Sequence, residues 1–415
     1  MQLLSSGRIE NWVSNMKIEG YRPGYSLPQE FYKDADIYRS EVANIFHKHW
    51  MFACHAAQIP RAGDFITVQL GAESIIVVRT QNGDVKAHMN VCRHRGSRLC
   101  LEEQGRKKLF TCPYHAWSYD LDGNLMVARE MPTEFIMKEN GLHAVYVELI
   151  GGLIFISLAE KPLSLSNLRK DLNPLLDLFG FDNLKLAMQK RYAIPANWKL
   201  AVENYQECYH CTPSHKEFAQ IHAMARDVES FKKDKTEFLA RQKGNPKIAE
   251  FNCYFERAAL GQEGYQYDRN PLLPGNLSGS LGGKPVAPLL GKLTEYDEGA
   301  SELMVGPMMF FLIYDDHVVG YRFAPTTIDS CVCDIFWFVH EAAEEGVDYN
   351  LPALTWLWDV TTIADKTIIE NNQKGVNSRF YSPGRLSKME DFQQSFLNWY
   401  VQSIHTVNKE DAVKT

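Results

Sequence analysis

Two short segments of the chain each place one cysteine beside one histidine: Cys92-Arg-His94 and, after seventeen intervening residues, Cys112-Pro-Tyr-His115. A structural zinc site usually groups two cysteines in one arm and its histidines in the other, whereas here both arms are mixed. The alternative interpretation is a zinc ribbon, or two unrelated buried pairs of one cysteine and one histidine. The mixed arms suit a [2Fe–2S] cluster in which the two cysteines hold one iron and the two histidines hold the other. This motif constrains the fold, because two tight turns must meet at one point.

The residues around this motif have the pattern of short strands. Segments 64–70, 74–79 and 85–91, with the hairpin signal Asn82-Gly83, indicate a small all-β domain over residues 41–160. With 415 residues the chain exceeds the usual length of one domain, and a helical period begins near Ser164. We therefore predict an N-terminal arm (1–40) that packs on the second domain, the all-β domain (41–160) and the second domain itself (161–415).

The second domain combines strands with helices that are segregated rather than alternating. Strands are expected at 308–314, 318–323 and 332–339, a helix from Trp198 through His210, and a long helix from Leu351 to Gln373. Residues 217–300 show little regularity, and the Gly/Pro-rich stretch 273–285 is interpreted either as a gate over a site or as a surface excursion. The fold class predicted from this pattern is α+β.

A second group of potential metal ligands follows in this domain. His210 and His215 are five residues apart, and we expect the Thr-Pro-Ser step at Pro213 to end the helix so that His215 turns back toward His210. Two imidazoles and one carboxylate form the facial triad of non-haem Fe(II) sites. The carboxylate comes from the long helix, as Asp365 or Asp359. The alternative histidine is His222, and Cys208 and Cys211 are interpreted as packing residues.

Composition excludes several other classes of protein. The net charge is -7, so the chain offers no basic surface for nucleic acid or an anionic membrane. No apolar run approaches the ~20 residues of a membrane span, and the N-terminus does not resemble a signal peptide. We therefore expect a soluble, cytoplasmic protein without a nucleic-acid or membrane partner. The nine cysteines, several beside histidines, favour metal ligation or free thiols over a disulfide framework.

Together the two groups of ligands resemble those of the Rieske non-haem iron oxygenases, specifically their catalytic α-subunit. The resemblance implies a Rieske [2Fe–2S] cluster held by Cys92, Cys112, His94 and His115, and a catalytic domain with an antiparallel, helix-grip-like sheet. It also implies one mononuclear non-haem Fe(II) held by His210, His215 and Asp365, and so favours Asp365 over Asp359. Asn204 matches the family at the start of the histidine segment and is carried over as a catalytic residue.

The resemblance further implies how electrons reach the mononuclear iron. Electrons come ultimately from NAD(P)H through a separate flavin/iron–sulfur reductase and pass from His115 to His210 of the adjacent subunit. Glu207 stands where the family usually has an aspartate that bridges these two histidines, and a glutamate carboxylate supplies the same acceptor. A homotrimer, or a hexamer built from it, is therefore implied.

The substrate is the least determined feature at this level. The segment Glu207-Cys208-Tyr209-His210-Cys211 and the run 373–384 resemble the branch that oxidises glycine betaine, proline betaine and carnitine. That branch implies N-demethylation, or hydroxylation of a nearby C–H, of a quaternary ammonium compound. Hydroxylation of an aromatic acid or ring is the first alternative, and an electron carrier without catalytic iron is the second. A trimethylammonium group favours aromatic faces, and strand alternation places Phe310 and Tyr314 on one face and Phe311 on the other.

Overall fold

The computed structural model describes residues 20–252 and 261–405. They contain two seven-stranded antiparallel sheets, one small sheet and nine α-helices, and the predicted α+β class is confirmed. No helix in these ranges is long and apolar enough to cross a membrane. The domain boundaries at 40/41 and 160/161 stay predictions.

The first sheet and the small sheet form the all-β part. The first sheet has the strand order β1-β10-β9-β4-β3-β2-β5, and the small sheet has the order β6-β7-β8. Their bounds are β1 Met51–His55, β2 Asp64–Leu70, β3 Glu73–Arg79, β4 Val85–Met89, β5 Gln104–Arg106, β6 Phe110–Thr111, β7 Ser118–Tyr119, β8 Leu125–Val127, β9 Ala144–Ile150 and β10 Leu153–Ser157. The β3–β4 hairpin turns at Asn82-Gly83, as the sequence predicts, and Gly83 has a φ of 88° that suits glycine there.

The second sheet is the framework of the remainder of the chain. Its strand order is β11-β17-β16-β15-β14-β13-β12, and every neighbouring pair is antiparallel. The strands are β11 Leu184–Ile194, β12 Glu250–Asn252, β13 Tyr265–Pro271, β14 Gly299–Val305, β15 Met309–Ile313, β16 Val318–Thr327 and β17 Ser330–His340. The sequence pattern located β15, β16 and β17 but missed β12, β13 and β14.

Nine helices accompany the sheets. Their bounds are α1 Glu30–Lys33, α2 Ala35–Glu41, α3 Ser166–Leu178, α4 Trp198–Tyr205, α5 Cys211–Ser214, α6 Lys216–Ala219, α7 Val228–Arg241, α8 Leu351–Val376 and α9 Asp391–His405. The long helix α8 begins where predicted, because Asn350 caps it through Ala353 N–H and Pro352 occupies the first turn. The expectation of little regularity in 217–300 was wrong, since the helix α7 and the strands β12 and β13 lie there.

Aromatic packing joins the two large sheets. The ring of Phe52 on β1 packs edge-on against Phe311 on β15 and Phe336 on β17, with centroids 5.6 Å apart in both pairs. All three side chains are buried, so the sheets share one apolar interface. The described part of the N-terminal arm also contacts the helices, since Tyr32 OH donates to Glu203 Oε1 at 3.0 Å and Tyr21 OH to Asn398 Oδ1 at 2.9 Å.

Candidate metal centres and active-site cavity

The two Cys/His loops have the same backbone conformation. In each, the cysteine N–H donates to the carbonyl five residues later, and the residue four positions later donates back to the cysteine carbonyl, with N···O distances of 2.7 to 3.0 Å. Both loops need one left-handed residue, Gly96 (φ 75°) in the first and Ala116 (φ 59°) in the second. This internal repeat presents Cys92 and Cys112 in equivalent positions.

The cysteines of these loops face inward and the histidines face outward. Cys92 and Cys112 are buried, and Cys92 Sγ lies 3.4 Å from the hydroxyl of Tyr119. His94 and His115 are exposed, and their Nδ1 atoms are 3.1 Å apart. Two thiols on the protein side and two imidazole Nδ1 atoms on the solvent side form a donor set that fits a [2Fe–2S] cluster with two sulfur and two nitrogen ligands.

Three side chains from two distant segments converge in the second part of the chain. The ligand atoms of His210, His215 and Asp365 all lie within 4.8 Å of one another. Asp365 Oδ1 is 2.8 Å from His215 Nε2 and 3.2 Å from His210 Nε2. Two imidazole nitrogens and one carboxylate oxygen that meet in this way fit a ferrous ion with open coordination positions.

The local backbone brings the two histidines together in a different way from the prediction. The helix expected to reach His210 ends at Tyr205 as α4, and the single-turn helix α5 follows His210. It ends at Ser214, one residue after Pro213, and His215 leaves the helical region with φ -130° and ψ 73°. Pro213 lies in the first turn of α5, where a missing N–H costs no helical hydrogen bond, so the break falls at His215 instead.

Hydrogen bonds orient the ring of His210. Its Nδ1 is hydrogen-bonded to Glu207 Oε1, and Asn204 Nδ2 approaches its Nε2 at 3.5 Å. Burial opposes a charge on His210, but the bonds to Asp365 and Glu207 outweigh it and raise the pKa to about 9. Burial likewise opposes charge on Asp365, and the two histidines overcome it and lower the pKa of this carboxyl. The carboxylate of Glu207 therefore keeps the proton on Nδ1 and directs Nε2 toward Asp365.

The alternative residues for this group have other partners. Asp359 Oδ2 accepts from Lys190 Nζ at 2.7 Å, and its other oxygen accepts from Tyr192 OH. His222 is buried, with Nε2 2.7 Å from Tyr314 OH, and burial lowers its pKa to about 3. Both residues are held away from the group formed by His210, His215 and Asp365.

Cys208 and Cys211 pack against the core, as the sequence interpretation expects, but they are not free thiols. The two form a disulfide, because the turn between α4 and α5 brings their Cα atoms to 4.9 Å. Six further cysteines in the described residues are free and buried, among them Cys92 and Cys112. The general expectation of free thiols therefore applies to most of the chain but not to this turn.

A cavity of about 320 Å³ opens beside the three-residue group. Its apolar walls come from helices α4 to α8 and from strands β14 and β15, and they include Tyr205, Phe218, Met224, Phe231, Leu303, Met304, Phe310, Leu312 and Trp358. Its polar wall includes Asn204, Gln206, Arg226, Lys232, Gln266 and Glu302. A cavity of this size suits a small molecule with an apolar body and one or two polar groups.

Strand alternation on β15 agrees with the expectation from sequence. Phe310 and Tyr314 pack with one part of the core and Phe311 with the other. Phe310 stacks near Tyr205, with ring centroids 4.2 Å apart. The Gly/Pro-rich stretch 273–285 lies against Tyr314, where a Cβ on Gly279 would come within 2.1 Å of the ring. Glycine is required at that approach.

Sequence reasoning missed Glu302, Gln206 and Gln266 as cavity residues. Glu302 and Gln266 lie on β14 and β13, which were not predicted as strands. The signal was present in β14, where Ala300, Glu302 and Met304 alternate with residues of the opposite face. A charged residue in the middle of the inward face obscured that alternation.

Two family models match the chain. The model described as the Rieske [2Fe-2S] domain matches residues 49–139, and the model described as the ring hydroxylating alpha subunit (catalytic domain) matches residues 181–406. Both sets of candidate ligands fall within the matched residues. The second match alone covers more than half of the chain.

Curated relatives match over half of the chain or more. The glycine betaine monooxygenase oxygenase subunit of Pseudomonas aeruginosa (strain UCBPP-PA14) is 36% identical over 398 residues, which is 94% of this chain and 91% of that protein. The carnitine monooxygenase oxygenase subunit of Escherichia coli (strain K12) is 36% identical over 214 residues, 51% of this chain and 56% of that protein. Among solved structures, a quaternary ammonium Rieske monooxygenase has a TM-score of 0.73 at 23% identity, covering 92% of this chain and 96% of that one. At that identity the structural likeness concerns the fold.

Proposed function

This chain belongs to the ring-hydroxylating α-subunits of the Rieske non-haem iron oxygenases, and on that premise we propose that it oxidises an N-methyl group of a quaternary ammonium compound. It is an oxygen-dependent oxidoreductase, with a Rieske cluster and a mononuclear iron as cofactors. The observation that carries the proposal is the aromatic-lined cavity beside His210, His215 and Asp365.

We assign the ligands as the donor sets suggest. Cys92, Cys112, His94 and His115 would hold the cluster, and His210, His215 and Asp365 would hold the mononuclear iron. When bound, the mononuclear iron supplies oxygen activation and the cluster supplies electrons. Glu207 supports the second assignment, because its carboxylate accepts from Nδ1 of His210 and leaves Nε2 free to bind a metal.

The cavity residues bind and orient the substrate. The rings of Tyr205, Phe310 and Trp358 offer faces to a cation and exclude water from it. One N-methyl group would lie nearest to the iron ligands, while the rest of the molecule fills the cavity. Hydroxylation of that methyl group consumes O2, two electrons and two protons and releases water. The hydroxymethylammonium product then loses its hydroxyl proton and breaks its C–N bond, whose electron pair stays on nitrogen, and this gives formaldehyde and a tertiary amine.

Electron delivery requires further partners. As an oxygenase subunit of a multicomponent system, the chain receives electrons from a separate reductase, which we propose to be an NAD(P)H-dependent flavin/iron–sulfur protein. The exposure of His94 and His115 suits transfer to a neighbouring subunit. Glu207 would accept from His115 of that subunit on one side and from its own His210 on the other. We propose a homotrimer, or a hexamer built from it, and Asn204 as a residue of the transfer site.

Oxygen uptake coupled to formaldehyde release tests the proposal. The metal-loaded protein, with a surrogate reductase, is supplied with glycine betaine, carnitine, proline betaine or an aromatic acid. We expect one formaldehyde for each O2 consumed with at least one trimethylammonium or dimethylammonium substrate. Turnover of the aromatic acid, without response to any betaine, would replace the proposal by ring hydroxylation, which an apolar cavity also permits.

A further inference from the structure

Glu302 lies on the cavity side of the second sheet. On β14 it alternates with Leu303 and shares its face with Met304, and its backbone pairs with Leu312 on β15. Its side chain lines the cavity. A carboxylate in this position faces a space whose other walls are mainly aromatic and aliphatic.

Among the described residues, the carboxylate of Glu302 has no hydrogen-bond or ion-pair partner. The cation whose charge acts on Glu302 is Lys235, and its ammonium group already has three other partners. Its Nζ donates to Asp268 Oδ1 at 2.5 Å, to the carbonyl of Arg269 at 2.7 Å and to Asn270 Oδ1 at 2.9 Å. An anion that lacks a partner in such surroundings is costly, unless a cation from outside the chain joins it.

The pKa of Glu302 shows that a negative charge is unfavourable at this position. Burial, and then the negative charge of Asp268, raise the pKa of Glu302 to about 7, although Lys235 acts in the opposite direction. A bound cation beside the carboxylate would remove this cost.

The same carboxylate lines one cavity together with the ring of Tyr205 and the candidate metal ligands. The negative charges of both Glu302 and Asp365 contribute to raising the pKa of the Tyr205 hydroxyl, after burial itself. Tyr205 also stacks near Phe310 in the cavity wall. A cation held at this ring is thus within reach of a carboxylate, aromatic faces and the metal ligands.

We propose that Glu302 is the specificity-determining residue that binds the quaternary ammonium group of the substrate, together with the rings of Tyr205 and Phe310. The inference rests on the proposed function and names the residue that selects its substrate class. Aromatic faces alone attract a cation weakly, whereas a desolvated carboxylate beside them excludes neutral molecules of the same shape. Glu302 thereby selects for charge, and the aromatic rings select for shape.

The test compares two molecules of equal shape and different charge. Glycine betaine carries a trimethylammonium group, and 3,3-dimethylbutanoate carries a neutral tert-butyl group in its place. Binding of each to the metal-loaded enzyme is measured by isothermal titration calorimetry without oxygen, so that no turnover occurs. We expect the wild-type enzyme to prefer glycine betaine by about tenfold or more. Glu302→Gln should abolish this preference by weakening the binding of glycine betaine alone.

Two further variants serve as controls. Glu298→Gln removes the same charge just before β14, from a residue that pairs with Arg241 at 3.5 Å outside the cavity, and should keep the wild-type preference. Glu302→Asp retains the charge on a shorter side chain and should restore part of the preference. This second variant also separates loss of the carboxylate from a general disturbance of the cavity.

The outcomes distinguish the inference from the function on which it rests. A wild-type enzyme that binds both molecules alike, or that binds no quaternary ammonium compound of the turnover panel, would overturn the proposed substrate class and the role of Glu302 with it. A wild-type preference that survives in Glu302→Gln would overturn the inference alone. If Glu298→Gln and Glu302→Gln lost the preference for glycine betaine equally, the inference would also be overturned. The loss would then come from the net charge of the protein and not from contact between Glu302 and the substrate.

Discussion

At the scale of single residues, His210 has a different partner on each ring nitrogen. Glu207 binds Nδ1, and Nε2 approaches Asp365. The sequence motif predicted the histidine and the carboxylate beside it, because their types match a metal site. It could not choose between Asp365 and Asp359, which lie on the same helix and differ only in which face they occupy. The packing of α8 against β11 decides this, since it places Asp359 beside Lys190.

The pH dependence of cation binding follows from Glu302. Its pKa is raised to about 7 by burial and Asp268, so part of the population is neutral near pH 7. Other groups coupled to it electrostatically are Lys235 and the hydroxyls of Tyr205 and Tyr314, and the pKa values of both hydroxyls are raised well above the ordinary value; Arg226 and Lys232 line the same cavity. Because a cation binds the ionised carboxylate, affinity for tetramethylammonium should rise from about pH 6 to about pH 8 and then level off.

Calorimetric titration of the metal-loaded enzyme across this range measures the effect. In Glu302→Gln the affinity should be weak and constant over the same range. A wild-type affinity that does not change with pH would contradict the assignment of this titration to Glu302.

At the scale of elements, the predictable parts were those with uniform patterns. Strands β2 and β3 follow from their β-branched residues and the turn signal at Asn82-Gly83, and the long helix α8 was predicted over most of its length. Strand β14 was missed because Glu302, which lines the cavity, interrupts the apolar face of the strand. The Cys208–Cys211 disulfide was missed because its formation depends on the end of α4, which sequence spacing does not specify.

The equivalence of the two Cys/His loops predicts how exchanging glycine and alanine at their left-handed positions changes stability. A methyl group on Gly96 meets no atom within 4 Å, so Gly96→Ala introduces only left-handed backbone strain, and we expect a loss of about 1 kcal/mol. Ala116 already carries this strain in the equivalent position, so Ala116→Gly should not destabilise the loop. The stability of each variant is measured by urea unfolding, with the visible circular dichroism of the cluster as the signal and the urea midpoint as the result. Equal destabilisation by both variants would show that the loops are not equivalent.

At the scale of the whole molecule, the residues proposed to transfer electrons lie at or near the surface of the chain. The Rieske histidines are exposed and Glu207 is only partly buried. This arrangement suits transfer between neighbouring subunits of a ring, in which each chain supplies a cluster to one neighbour and a mononuclear iron to the other.

Mixing two inactive variants tests transfer between subunits. Cys112→Ala lacks the cluster and His210→Ala lacks a complete mononuclear site, so neither should turn over substrate alone. Trimers co-expressed from equal amounts of both should recover about one quarter of wild-type activity, since one chain in two keeps its iron and half of these have a competent neighbour. Complete inactivity of well-folded mixed trimers, or a monomer by analytical ultracentrifugation, would contradict the proposed path.

Metal and sulfide content tests the central claim, that one chain holds two kinds of iron at the residues assigned here. The anaerobically purified protein should contain about three irons and about two acid-labile sulfides per chain, as one [2Fe–2S] cluster and one mononuclear iron require. Asp365→Asn should lose about one iron and keep both sulfides, whereas Asp359→Asn, which changes the contacts with Lys190 and Tyr192, should keep all three irons. Zinc without labile sulfide in the wild-type protein, or equal iron content in the two variants, would contradict the account.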